Sequence, residues 1–87
     1  MKIAEMKIRS QRNQLIDMVG KATTTVRMPT GSYQILAHTK DKVEGAILGE
    51  YSTEEKTVRV LCAIQVAAQH PEKIRIFNMP SDAEVVL

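Results

Sequence analysis

The sequence predicts an α+β domain, in which an antiparallel meander of about five short strands is followed by one central helix and one C-terminal strand. Three observations carry this expectation. Apolar and polar residues alternate with a period of two through the front half and again near the end. Turn-forming residues interrupt that alternation at short intervals. A single helix-length run follows the stretch Gly49-Glu50-Tyr51-Ser52-Thr53-Glu54-Glu55-Lys56.

In residues 3–10, Ala4, Met6 and Ile8 fall on one side and Glu5, Lys7 and Arg9 on the other, as in a strand with one wet face. Gln11-Arg12-Asn13 reads as a turn and 14–19 as a second strand closed by Gly20. Residues 21–28 carry Thr23, Thr24, Thr25 and Val26, whose branched side chains suit a third strand. Pro29-Thr30-Gly31-Ser32 turns the chain into a fourth strand at 33–39, with Tyr33, Ile35 and Ala37 on one face. A polar turn at 40–42 leads to a fifth strand at 43–49. Gly45 and Gly49 there fit a bulge or a close crossing. Short polar connections favour pairing between successive strands.

The helix is expected over 53–69. Ser52 is placed to accept from the amide of Glu55 while the Glu55 carboxylate reaches back to the amide of Ser52, and two acidic residues sit where the helix dipole favours them. Pro71 disfavours helical geometry at His70 and ends it. Leu61, Ile64, Ala68, Val58 and Cys62 fill a wide arc of this helix. Val60, Ala63, Val66 and Ala67 cover much of the rest, leaving a thin polar stripe near Lys56 and Arg59. Apolar residues nearly all round imply burial on two sides, so one face is expected on the sheet and the other against a second subunit, in a homodimer or higher oligomer. Residues 73–78 alternate again as a last strand, 79–82 turn, and 83–87 are expected to extend over a neighbour or dock within the domain.

Eighty-seven residues make one domain, 1–87, and a chain of this size buries only about 60 to 65 % of the surface it exposes when unfolded. With no Trp, one Phe and two Tyr, its core relies on aliphatic side chains. Cys62 excludes an internal disulfide and, inside an apolar run, reads as a small buried hydrophobe. The charged opening lacks the apolar run of a secretion signal. No stretch approaches the roughly 20 apolar residues that span a bilayer. A cytoplasmic protein that does not enter a membrane is therefore expected. Charge is uneven: residues 1–42 hold eight Lys or Arg against three carboxylates, and residues 43–87 hold four against seven. A basic front half points to an anionic partner.

Catalysis and metal binding find no pattern. His38, Cys62 and His70 lack ligand spacing, and no Ser lies in a nucleophile turn. No cofactor motif is present, since Gly45 and Gly49 lack the order of a phosphate-holding loop. Anion recognition has more support. Arg9, Arg12, Arg27 and Arg75 lie in or beside strands and suit phosphate, while Gln11, Asn13 and Tyr33 supply groups that read a base or ribose. Solvated strand faces are the plain alternative for the same residues. An extended nucleic-acid surface is disfavoured, because stacking aromatics and a basic helix are absent.

Three blocks, Lys7-Ile8-Arg9-Ser10-Gln11, Tyr51-Ser52-Thr53-Glu54-Glu55-Lys56, and Phe77-Asn78-Met79-Pro80-Ser81-Asp82-Ala83-Glu84-Val85, resemble a family of short proteins from phages and prophages of Firmicutes. Its members carry an R-S-Q opening, a Y-S-T-E-E-K helix start and an F-x-x-P-x-D-x-E-V tail. Residues 19–42 match nothing in it. The resemblance implies a non-enzymatic protein of a bacterial host cytoplasm. In class it is similar to the anti-Thoeris and anti-CBASS sponges that sequester nucleotide signals of bacterial immunity. The expected function is thus sequestration of a phosphate-bearing, cyclic nucleotide signal between subunits. Two alternatives are a protein-binding inhibitor or assembly factor acting through the apolar helix or tail, and a nucleic-acid-binding accessory protein.

Overall fold

The computed structural model describes residues 6–39, 45–70 and 76–86. The start of the first expected strand, the turn at 40–42 with the start of the fifth strand, the stop at Pro71 and Leu87 lie outside them. Six strands and one helix follow as β1 (Lys7–Arg9), β2 (Leu15–Asp17), β3 (Lys21–Arg27), β4 (Tyr33–Thr39), β5 (Ala46–Tyr51), α1 (Glu54–Ala68) and β6 (Ile76–Asn78), and a 3-10 turn at Asp82–Glu84 closes the chain. The α+β class is as the sequence predicts.

The meander is divided. β3, β4 and β5 form one antiparallel sheet in sequential order, and β2, β1 and β6 form another. The break falls at the tight link after β2. Lys21 donates its amide to the Met18 carbonyl at 3.0 Å, and Gly20 at φ +72° supplies the positive dihedral that such a turn requires. The chain leaves that turn toward β4 and does not pair with β2. β6 returns from the far end of the sequence to lie parallel to β1, with Ile8 opposite Phe77.

The two sheets meet at a bulge. On β5, Gly49 faces Ile35 and Ile47 faces Leu36, so Leu48 is left over. Its side chain is fully buried, and its carbonyl accepts the amide of Gln11 at 2.9 Å, which ties the β1–β2 turn to β5. Both expected glycine roles hold here. A Cβ on Gly45 would collide with the Ala37 carbonyl oxygen, and one on Gly49 would press on Gln11 and Met79.

One core fills the space between the sheets, the helix and the tail. Ile8 and Ile16 come from the first sheet with Met6 and Met18 flanking its strands, and Ile35, Ala37, Leu48 and Tyr51 come from the second. Val60, Ile64 and Ala67 come from α1, and Met79 and Val85 from the tail. Burial of the aliphatic members is the main favourable term, at about 25 cal/mol per Å² of apolar surface removed from water.

The helix starts one residue later than the sequence predicts. Thr53 is the N-cap, its hydroxyl accepting from the amide of Lys56 at 3.2 Å. Ser52 is drawn off by Asp82, whose Oδ1 accepts both the amide (2.8 Å) and the hydroxyl (3.0 Å) of Ser52. In the local box only the Ser52 amide would meet a carboxylate, whereas Asp82, thirty residues away, gives both the amide and the hydroxyl of Ser52 an ionised acceptor. α1 buries Thr57, Val60, Ile64 and Ala67.

Cys62 corrects another expectation: it is exposed. It lies two residues, or about 200°, from both Val60 and Ile64, and so faces away from the sheet. Of the two expectations for the tail, docking within the domain holds for Val85, which is 8 % exposed, while Val86 is exposed at 77 %.

Candidate functional site

The expected ligand residues fall into two separate groups. Arg9 lies on the outer face of β1, in one cross-strand row with Leu15 and Asn78. Its Nη1 donates to Asn13 Oδ1 at 3.0 Å. Asn13, at φ +64°, closes a tight turn in which Ser10 and Gln14 are bonded through backbone and side chain; Asn tolerates that dihedral better than most residues. Arg12 projects from the same turn, exposed and without a side-chain partner among the described residues.

Arg27 and Tyr33 face each other where the β3–β4 hairpin begins. Arg27 is exposed and borders an open groove of about 400 Å³ with Met28, Pro29 and Gly31. Arg75 lies outside the described residues.

Gln11 belongs to neither group, because its amide is spent on architecture. Nε2 donates to the Pro80 carbonyl at 2.9 Å and more weakly to the Glu50 carbonyl at 3.4 Å, while Oε1 accepts the Glu50 amide at 2.7 Å. Its assignment as a base-reading residue is therefore corrected to a bridge between the β1–β2 turn, β5 and the tail.

That bridge is part of a junction where the three sequence blocks converge. Tyr51, 1 % exposed, donates its hydroxyl to the same Pro80 carbonyl at 2.8 Å. Asp82 holds Ser52 as described, its carbonyl accepts from Lys56 Nζ at 2.8 Å, and its Oδ2 lies 3.6 Å from that ammonium. Glu84 Oε1 accepts the amide of Ser81 at 2.9 Å. Sequence reasoning missed Glu50, Asp82 and Glu84 as members of this set. The signal was present in the spacing of the three blocks, which had no common purpose until the tail folded onto the helix start.

A surface groove of about 480 Å³ opens beside the junction, lined by Gln11, Asn13, Glu50, Met79, Asp82 and Glu84 among others. Its carboxylates are already engaged: Glu50 accepts from Gln34 Nε2 at 3.0 Å, and Asp82 and Glu84 are bound as above. The bond from the Ser52 amide, then the Ser52 hydroxyl and the Lys56 ammonium, holds the Asp82 carboxyl below its usual range, and the Ser81 amide does the same for Glu84. Burial pushes the Tyr51 hydroxyl up to about 12, with Asp82 and Glu84 adding to the effect. The groove wall is acidic and internally satisfied, which disfavours a phosphate. Among the described residues no buried side-chain polar atom lacks a partner, and no cluster could hold a metal ion.

The outer side of α1 is chemically different. Val58 and Val66 are 50 % and 55 % exposed, and Cys62 between them completes an apolar stripe at four-residue spacing. A hollow of about 760 Å³ borders the stripe's first turn, lined by Thr53, Glu54, Glu55, Val58, Arg59 and Cys62. No described helix is long and apolar enough to cross a membrane. No protein-family model, curated protein or solved structure matches the chain.

Proposed function

We propose that the chain is a non-enzymatic binding protein of phage or prophage origin that acts in the host cytoplasm by occupying a protein surface with the outer stripe of α1. The observation that carries this reading is the exposure of Val58, Cys62 and Val66 on a helix whose opposite side already fills the core. A surface stripe of this composition gains nothing in the free chain and has apolar area to offer a partner. The acidic first turn and Arg59 supply a polar rim of the kind that surrounds such contacts.

Capture from phage-infected host cells tests it when the unaltered chain is compared with two variants. Val58→Glu with Val66→Glu is expected to lose the retained protein, and Arg9→Ala with Arg12→Ala is expected to keep it. Retention that ignores the helix variant contradicts the reading.

Sequestration of a nucleotide signal is the second reading, favoured by one observation: the exposed Arg12 sits in the same turn as the bonded Arg9–Asn13 pair, with Asn78 beside Arg9. Within one chain Arg27 and Tyr33 are elsewhere, so this reading requires a second subunit to complete the site. Calorimetry with cyclic dinucleotides, cyclic trinucleotides and ADP-ribose derivatives decides it, and absence of heat with all of them removes it.

A further inference from the structure

The backbone edge of β3 is used by neither reading, although Arg27 at its end belongs to the second. β4 pairs along one side of this strand, and among the described residues no strand pairs along the other. None of its seven residues is buried. The usual protections of a sheet edge are a short strand, charged side chains, Pro, a bulge or a covering segment. Among the described residues none of them occurs between Ala22 and Val26, where the sequence is Ala-Thr-Thr-Thr-Val, and the charges stand only at the ends, Lys21 and Arg27.

The phase of its ladder follows from the hairpin. The Met28 amide donates to the Ser32 carbonyl at 2.8 Å, so Val26, Thr24 and Ala22 exchange bonds with Gln34, Leu36 and His38. The backbone groups of Thr23, Thr25 and Arg27 therefore point to the free side.

Charge identifies the occupant. Lys21 and Arg27 bracket the strand, and neither side chain has a hydrogen-bond or ion-pair partner among the described residues. The two-fold antiparallel pair of copies that uses all seven residues of the strand is centred on Thr24, and in it each Lys21 would lie opposite the other copy's Arg27, where like charges are unfavourable; pairs centred on Thr23 or Thr25 avoid this only by leaving part of the strand unpaired. An extended segment with a carboxylate at each end meets the same two charges favourably. We propose that the β3 edge accepts, as an added antiparallel strand, an extended segment of another protein that carries acidic residues opposite Lys21 and Arg27. Between them, small or β-branched side chains fit opposite Ala22, Thr24 and Val26.

The probe is the capped heptapeptide Asp-Val-Thr-Ser-Thr-Val-Glu, titrated into the isotope-labelled full chain and followed by amide resonances, with a Lys-ended peptide of the same centre as control. Saturable shifts at the Thr23, Thr25 and Arg27 amides are expected. Affinity for the acidic peptide should exceed that for the control by about fivefold, as two exposed ion pairs allow, and the preference should reverse in Lys21→Glu with Arg27→Glu. That double variant keeps every backbone group, so the test does not depend on Thr25→Pro, which should abolish binding outright. Equal affinity for the two peptides, or no shift at those amides up to the solubility limit, overturns the proposal. So does a sedimenting dimer of the unaltered chain that Thr25→Pro dissociates, which would make a second copy the occupant.

Discussion

At the scale of the residue, the chain spends its most conspicuous side chains on holding itself together. Tyr51 shows this most directly. Its folded pKa lies above that of the unfolded chain, so its contribution is fully present below pH 10, the ordinary tyrosine value. It is lost as pH rises toward 12, at up to about 2 to 3 kcal/mol for a shift of that size. Tyr51→Phe should cost about 1 kcal/mol at neutral pH through the lost bond to Pro80. It should also flatten stability between pH 10 and 12, as urea unfolding across that range will register. The acid limb runs the other way. Asp82 and Glu84 are held below their usual values, so their contribution is present above about pH 4 and drains away as pH falls through the folded values. Asp82→Asn is expected to lower the thermal midpoint at neutral pH and to blunt the further drop on acidification. A variant that melts like the parent at pH 7 would show that the junction contributes nothing. Gln11 was legible as a polar turn residue and was read as a base or ribose contact. Its role depends on Glu50 and Pro80, which no pattern local to residues 9–13 can place.

Elements were legible where their cause is local. Alternation marked β1 and β4 in the described residues, β-branched content marked β3, Gly20 closed β2, and the glycine–proline turn marked the β3–β4 hairpin. The N-cap moved from Ser52 to Thr53 because the decisive acceptor, Asp82, is thirty residues distant. The helix was readable as a helix, but its faces were not. A segment apolar nearly all round carries no internal mark of which side the sheet will take, and Cys62 was misplaced for that reason. The two faces now make opposite forecasts. Ile64→Ala, in the core, should cost about 2 to 5 kcal/mol. Val58→Glu and Val66→Glu should each stay within about 0.5 kcal/mol, as surface substitutions generally do, while removing partner retention. Chemical denaturation of the three variants measures the contrast, and a large loss from either surface change would mean that the stripe is packed in the free chain.

For the whole molecule, closure comes from the end of the sequence. β6 pairs with β1, Met79 donates its amide to the Arg9 carbonyl at 2.9 Å, and Val85 enters the core. These contacts span nearly the full chain, which is why the α+β class was legible from composition and period while the split into two sheets was not. A chain truncated after residue 75 is expected to lose cooperative unfolding, as circular dichroism on heating would show; a sharp transition in that fragment would make the tail an accessory. With the three sequence blocks drawn into this closure, the outer stripe of α1, the turn that carries Arg12 and the edge of β3 remain exposed among the described residues. The most direct test is mass spectrometry of everything the chain retains from infected cells, proteins and heat-released small molecules alike, for the parent, the Val58→Glu/Val66→Glu variant and the Arg9→Ala/Arg12→Ala variant. A protein held by the parent and the arginine variant but not by the helix variant is the expected result, and a nucleotide that only the arginine variant fails to hold would contradict it.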